Sequence, residues 1–212
     1  MWPVYFHFSL LTLNILLWAL KYRSLETSLR LLGLMLLLTL LFEAYAAFLM
    51  FNQVRNLHLF HILTPLQYVC TALIFRCALQ TAWYRQAIAY SIPAFLVTSV
   101  LISLSVQGPS DYNSYALMLK SLLTTCWVLC YFREIFSSLR LFRLETEPMF
   151  WVSTGMLFYA LGSFYAEGLM NYLLLQAYPL ALYLYYFSVL LGYLLYGTFV
   201  VALVLAKPNV SK

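Results

Sequence analysis

The chain predicts an all-α fold: an integral membrane seven-helix bundle, N-terminus outside and C-terminus cytoplasmic. Three observations carry this reading. The sequence is 64% hydrophobic and only 9% charged, with a mean hydropathy of +0.85. A soluble domain of 212 residues has no interior large enough for that much apolar surface. Apolar runs of about 20 residues, enough to cross a bilayer core of about 30 Å, recur along the chain. Cutting the chain at those runs puts ten of the twelve Lys and Arg residues on one side.

The spans are expected at about 3–20, 29–51, 57–79, 87–105, 114–136, 150–174 and 179–205. The first has no basic leader and no small-residue cleavage site, and its first cation, Lys21, follows the apolar run. It therefore reads as a retained anchor and not a cleaved signal. The second runs between the cationic stretch around Arg30 and the loop holding Arg55. The third contains Pro65, which is expected to loosen the helix there. The fourth follows Trp83 and Arg85, the fifth carries Lys120, and the sixth opens beside Trp151. The seventh is rich in tyrosine and could suggest strands, but it is far too long and continuous for a barrel strand of about 10 residues. Backbone groups in lipid must pair within their own segment, so helices are expected throughout. Trp2, Trp18, Trp83 and Trp151 sit at helix ends, as an interfacial belt requires.

Orientation follows from the cations. Lys21, Arg23 and Arg30 lie between spans one and two, and Arg76 and Arg85 flank the next loop on that side. Arg133, Arg140 and Arg143 cluster between spans five and six, and Lys207 and Lys212 form the tail. The other side holds Arg55, with Lys120 inside a span. The positive-inside rule makes the richer side cytoplasmic. The net charge of +5 is thus a topology signal, and no nucleic-acid partner is expected. Loops are short, so residues 1–206 read as a single domain and 207–212 as a short cytoplasmic tail. The expected location is the cell membrane, multi-pass, in bacteria the inner membrane.

Ionisable groups inside a membrane are costly and mark function. Counted inward at about 1.5 Å per residue, His7, Glu43, His61, Lys120 and Glu167 fall in the outer half, with His58 and Asn171 nearer the outer surface. Tyr159, Ser163, Glu167 and Asn171 repeat every four residues and form one stripe. Lys120 and Thr124 share a face that Trp127 and Tyr131 continue. Thr64, Tyr68 and Thr71 extend the face of His61, His7 and Asn14 are seven apart, and Tyr185, Ser188, Gly192 and Tyr196 form a seam on the last span. These residues predict an outward-opening polar pocket. Glu43 and Glu167 are its carboxylates, Lys120 its cation, His61 and His7 its tunable donors, and Tyr159, Ser163 and Asn171 belong to its stripe. The alternative is a packing lock in which Lys120 pairs with one Glu and the histidines bond to backbone or water.

Zinc accepts His and Glu ligands. His58 and His61 are weak candidates, but the pair is short for a helix-borne site, and no metal or other cofactor is expected. The cysteines Cys70, Cys77, Cys126 and Cys130 read as small buried hydrophobes, with no disulfide framework. Several seven-helix classes lack their signatures here. The last span has no Schiff-base lysine, no Asp-Arg-Tyr or Asn-Pro-x-x-Tyr motif is present, and the late His pair of the zinc lipid hydrolases is missing.

The run Asn56-Leu57-His58-Leu59-Phe60-His61-Ile62, then Pro65-Leu66-Gln67-Tyr68, resembles a segment of uncharacterised seven-transmembrane-helix bacterial membrane proteins. Glu147-Pro148-Met149-Phe150-Trp151-Val152 is similar to the opening of their sixth span. In that group an acidic residue often stands where this chain has Gln67. The resemblance implies a sensor-like bundle with no established activity. The function expected is small-molecule or lipid binding in a receptor-like or sensor role. Membrane lipids and a small-molecule ligand are the partners, and a separate signalling partner would be engaged at the cytoplasmic loop. A transporter of three-plus-one-plus-three helices and an intramembrane lipid-modifying enzyme are the alternatives. No catalytic residue is expected, because no nucleophile motif accompanies the carboxylates.

Overall fold

The computed structural model describes residues 2–108, 110–137 and 143–206, without the side chains of Trp2 and Pro3. The expectations placed on Arg140, on the Trp2 side chain and on the tail with Lys207 and Lys212 lie outside the described residues. Among those described, the fold is all-helical. Seven α-helices run as α1 (Trp2–Lys21), α2 (Thr27–Phe51), α3 (Leu57–Ala78), α4 (Ala82–Ser105), α5 (Ser114–Ser137), α6 (Pro148–Gln176) and α7 (Tyr178–Leu205).

Hydropathy marks where apolar sequence starts, not where a helix starts, and α4 shows the difference. Its apolar run begins near Ala87, yet the helix begins at Ala82. The extra turn carries Trp83, Tyr84 and Arg85, which are polar or amphipathic but helix-compatible. Its exposed N–H groups are met by the Glu134 carboxylate, which accepts from the amides of Gln80 at 2.6 Å and Thr81 at 3.1 Å. An anion at a helix start is favoured by the free N–H groups and the dipole there. At the other pole, Lys21 Nζ donates to the carbonyls of Leu203, Val204 and Ala206 at 2.9, 2.8 and 3.3 Å. That contact closes the end of α7 with a cation.

Six of the helices, all but α6, are long and apolar enough to cross a membrane. They are compatible with a multi-pass membrane protein, and their outer faces agree: Leu104, Tyr90 and Tyr183 are exposed. Although α6 is 29 residues long, Ser153, Thr154, Tyr159, Ser163, Glu167 and Asn171 dilute its apolar character. It turns that polarity inward, with Ser153, Ser163 and Glu167 all buried.

The helices close a ring. α1 packs between α2 and α7, α2 against α3, α3 against α5, α5 against α6, and α6 against α7. α4 stands outside the ring, on α3 and α5. Short connections between packed neighbours make each helix antiparallel to the one before. Hence α1–α3 and α5–α7 are two three-helix halves running in the same sense, joined by α4. One end, here the first end, carries the start of α1 and the α2–α3, α4–α5 and α6–α7 connections. The core sits toward the second end. Leu29, Leu32, Phe75, Val128, Val152 and Leu203 are fully or nearly fully buried there and pack as one cluster.

One close approach pins α1 to α2 in the ring. A Cβ on Gly33 of α2 would strike the indole of Trp18 on α1. Gly33→Ala is therefore expected to destabilise by about 1–3 kcal/mol, the usual cost of overpacking. Gly197→Ala, whose Cβ meets nothing within 4 Å, should be close to neutral. Thermal unfolding of the two variants in detergent checks this. Tyr68 fastens the outer helix. Its hydroxyl donates to Ser91 Oγ of α4 at 2.6 Å and accepts from Trp127 Nε1 of α5 at 3.3 Å, while its ring stacks on Phe95 at 4.1 Å.

Candidate functional site

Inside the ring lies a cavity of about 410 Å³ lined by α1, α2, α3, α5, α6 and α7 together with the α4–α5 loop. Along α2 its wall runs from Met35 to Met50, and along α7 from Tyr185 to Phe199. At about 1.5 Å per residue each is a depth of about 21–23 Å. The cavity thus spans the first end and the middle of the bundle and stops on the packed core. Four of the chain's seven methionines, Met35, Met50, Met156 and Met170, line it. Unbranched thioether chains give a wall that reshapes easily around an apolar guest.

Polar groups form a belt on this wall. Of the residues singled out in the sequence, His7, Glu43, Lys120, Tyr159 and Glu167 line the cavity. So do all four members of the α7 seam, Tyr185, Ser188, Gly192 and Tyr196. On α1 and α2, His7 Nε2 and Glu43 Oε2 lie 2.7 Å apart, both side chains about a quarter exposed. The imidazole edge meets the ring of Tyr196, with centroids at 5.2 Å. On α5, Lys120 Nζ donates to Gln67 Oε1 of α3 at 2.9 Å. Gln67 Nε2 in turn donates to Thr39 Oγ1 of α2 at 3.1 Å. On α6, the Glu167 carboxylate accepts from the Tyr112 hydroxyl of the α4–α5 loop. Burial, and then the charge of Glu167, pushes the Tyr112 phenol well above its usual value.

Among the described residues no carboxylate lies within 4.0 Å of Lys120, whereas the His7 imidazole is in contact with Glu43. Lys120, Glu167, Tyr159 and Glu43 nevertheless line one shared cavity. The simple lock in which Lys120 pairs directly with a Glu is therefore replaced by a neutral amide relay, Lys120 to Gln67 to Thr39. On α7, the buried Ser188 Oγ has no hydrogen-bond partner and lines the same cavity.

Three expected residues stand elsewhere. His61 faces α4 and the loop, with Nδ1 at 2.9 Å from Ser103 Oγ and Nε2 at 3.1 Å from the Asp111 carbonyl oxygen. The helix turn explains this: His61 and Tyr68 are seven apart and share the α4-facing side, while Gln67 and Thr71 share the cavity side. Ser163 Oγ lies 3.1 Å from Ser121 Oγ and belongs to the α5–α6 contact. Asn171 Nδ2 donates to the Tyr112 carbonyl at 2.9 Å and to Ser114 Oγ at 3.0 Å, holding the loop that carries Tyr112. His58 is exposed, and no group of three or more metal-binding side chains occurs among the described residues. Asn14 sits deeper than His7 and bonds the Tyr196 carbonyl at 3.0 Å.

The two halves carry matching polar groups at matching depth. Glu43 is eight residues from the end of α2 and Glu167 nine from the end of α6. His7 is five residues into α1 and Lys120 six into α5, while Gln67 and Ser188 are each ten residues into α3 and α7. Each half thus places a cation-forming group, a carboxylate and a neutral polar group on its first, second and third helices. Tyr112, Gln67 and Thr39 are contributors that sequence reasoning did not place in the pocket. No protein-family model, curated protein or solved structure matches the chain.

Proposed function

We propose that the chain is a multi-pass protein of the cell membrane, in bacteria the inner membrane, with its first end outside. In this reading its cavity binds a small molecule or lipid in a receptor-like role. What carries the reading is a cavity of about 410 Å³ in which ionisable groups from α1, α2, α5 and α6 face a largely apolar space. Such groups are costly at membrane depth unless they serve a ligand or a pathway. The plug of core side chains beneath the cavity favours access from one side. The cationic loops at the second end support the orientation. They also suit a cytoplasmic signalling partner or anionic lipid.

A second reading is transport. Two parallel three-helix halves with matched polar groups, linked by an outer helix, suit rocking around a shared site. Lipid modification has less support, because Ser163 is turned to Ser121 and away from the carboxylates.

One labelling experiment separates these. Gly192→Cys places a thiol on the cavity wall, where a Cβ meets only open space. In right-side-out vesicles an impermeant maleimide added outside is expected to label it above the background of the four native cysteines. Labelling in inverted vesicles should stay at background. Labelling from both sides makes the chain a transporter, and labelling from neither removes the accessible cavity on which the reading rests.

A further inference from the structure

We propose that the cavity takes a zwitterion with an apolar body, its anionic group on Lys120 and its ammonium group on Glu167. This rests on the ligand-binding reading above and names the class of ligand. The argument is the difference between the two halves. In the first half the couple is closed, with His7 and Glu43 in contact at 2.7 Å. In the second half the equivalent couple is open. Lys120 is turned to the neutral Gln67 and Glu167 to the neutral Tyr112.

An ammonium carries three N–H donors, and Lys120 spends one on Gln67. A carboxylate carries two oxygens, and one oxygen of Glu167 takes the Tyr112 hydroxyl. Both groups line the same space. A lone anion on Lys120 would sit within reach of the Glu167 charge, and a lone cation on Glu167 within reach of Lys120. A ligand bearing both charges bridges the open couple and leaves neither group facing a like charge. Ser188 Oγ, unpartnered on the adjoining α7 wall, offers a further hydrogen bond. The methionine walls receive the apolar part, and the cavity size suits a small ligand. The same pair of charges is presented by a free apolar amino acid and by the phosphoethanolamine head of a lipid.

The test uses the full chain, delipidated and purified. Tritiated leucine is the soluble probe, competed by isocaproate, which lacks the ammonium, and by isoamylamine, which lacks the carboxylate. Phosphatidylethanolamine against phosphatidylglycerol is the lipid probe, read by native mass spectrometry. Leucine or phosphatidylethanolamine is expected to bind saturably, and the one that does identifies the source. Analogues missing either charge should bind at least about tenfold more weakly, because a buried polar partner is then left unpaired. Lys120→Gln and Glu167→Gln should each show a similar loss. Gly192→Leu adds bulk where a Cβ meets only open space, and it should lose binding with the charges intact. The competition series on the unaltered chain decides the matter even where a charge variant fails to fold. Isocaproate or isoamylamine binding as well as leucine, or phosphatidylglycerol binding as well as phosphatidylethanolamine, would overturn the proposal. So would absence of both leucine and phosphatidylethanolamine binding in a protein whose Gly192→Cys form labels from outside. With no labelling at all, the ligand-binding reading falls with it.

Discussion

Phe75→Ala is expected to lower the unfolding free energy by about 3 kcal/mol, the low end of the usual cost for a buried Phe. Phe75 is wholly buried in α3, tilted against Tyr131 of α5 with ring centroids 6.3 Å apart. The same core cluster includes Leu29 and Leu32 of α2 and Leu203 of α7. In a bilayer the transfer part of the cost shrinks, because lipid tails are as apolar as the interior. The lost dispersion contacts around the void remain. The second effect is on access. Phe75 belongs to the packed layer under the cavity, so its truncation should let maleimide reach Gly192→Cys from both vesicle orientations. Unfolding in detergent and the two-sided labelling ratio measure the two effects separately. An unchanged ratio alongside the stability loss would show that the plug does not depend on this ring.

Class and helix number were legible because hydropathy is a one-dimensional signal. The apolar runs lie within about two residues of the helices except at the start of α4. The stripe on α6 was legible in part. Period-four spacing puts Tyr159, Ser163, Glu167 and Asn171 on one side of the helix. A helix side is broad, however, and which neighbour meets each residue depends on the ring order. Ser163 met Ser121 and Asn171 met the Tyr112 loop. His61 illustrates the same limit on α3, where one turn separates the side facing α4 from the side facing the cavity. Tyr112 lies in a connection with no periodicity, so nothing in its local sequence assigns it to Glu167. Gln67 did carry a signal, since Gln67 and Thr71 are four apart and share a face with the cavity. The ring itself, with α4 excluded, is a property of packing between distant segments that one chain does not display.

Tyr112→Phe is expected to cost about 2–3 kcal/mol, because it removes the hydroxyl that satisfies a buried carboxylate. Glu167 is only 7% exposed, and Tyr112 is the donor it holds. Phe keeps the ring and the carbonyl that accepts from Asn171, so the loop should stay in place and the loss should report the single bond. The pH dependence has a definite sign. The Tyr112 phenol is held above its usual value by burial and by the neighbouring Glu167 charge. The folded state therefore keeps a proton that the unfolded chain releases near pH 10. Stability from this group is fully present below about pH 10 and falls as pH rises beyond it. Other tyrosines titrate in the same range, so the readout is the difference between the two proteins. The stability gap should be constant from neutral pH to about pH 9 and should narrow above pH 10. Binding offers a second check, because Glu167 freed from Tyr112 can turn toward Lys120 and close the couple that the zwitterion would bridge. Leucine affinity should then fall in Tyr112→Phe with Lys120 and Glu167 both unaltered. A variant with wild-type stability and affinity would mean that the loop hydroxyl neither holds the carboxylate nor keeps the site open.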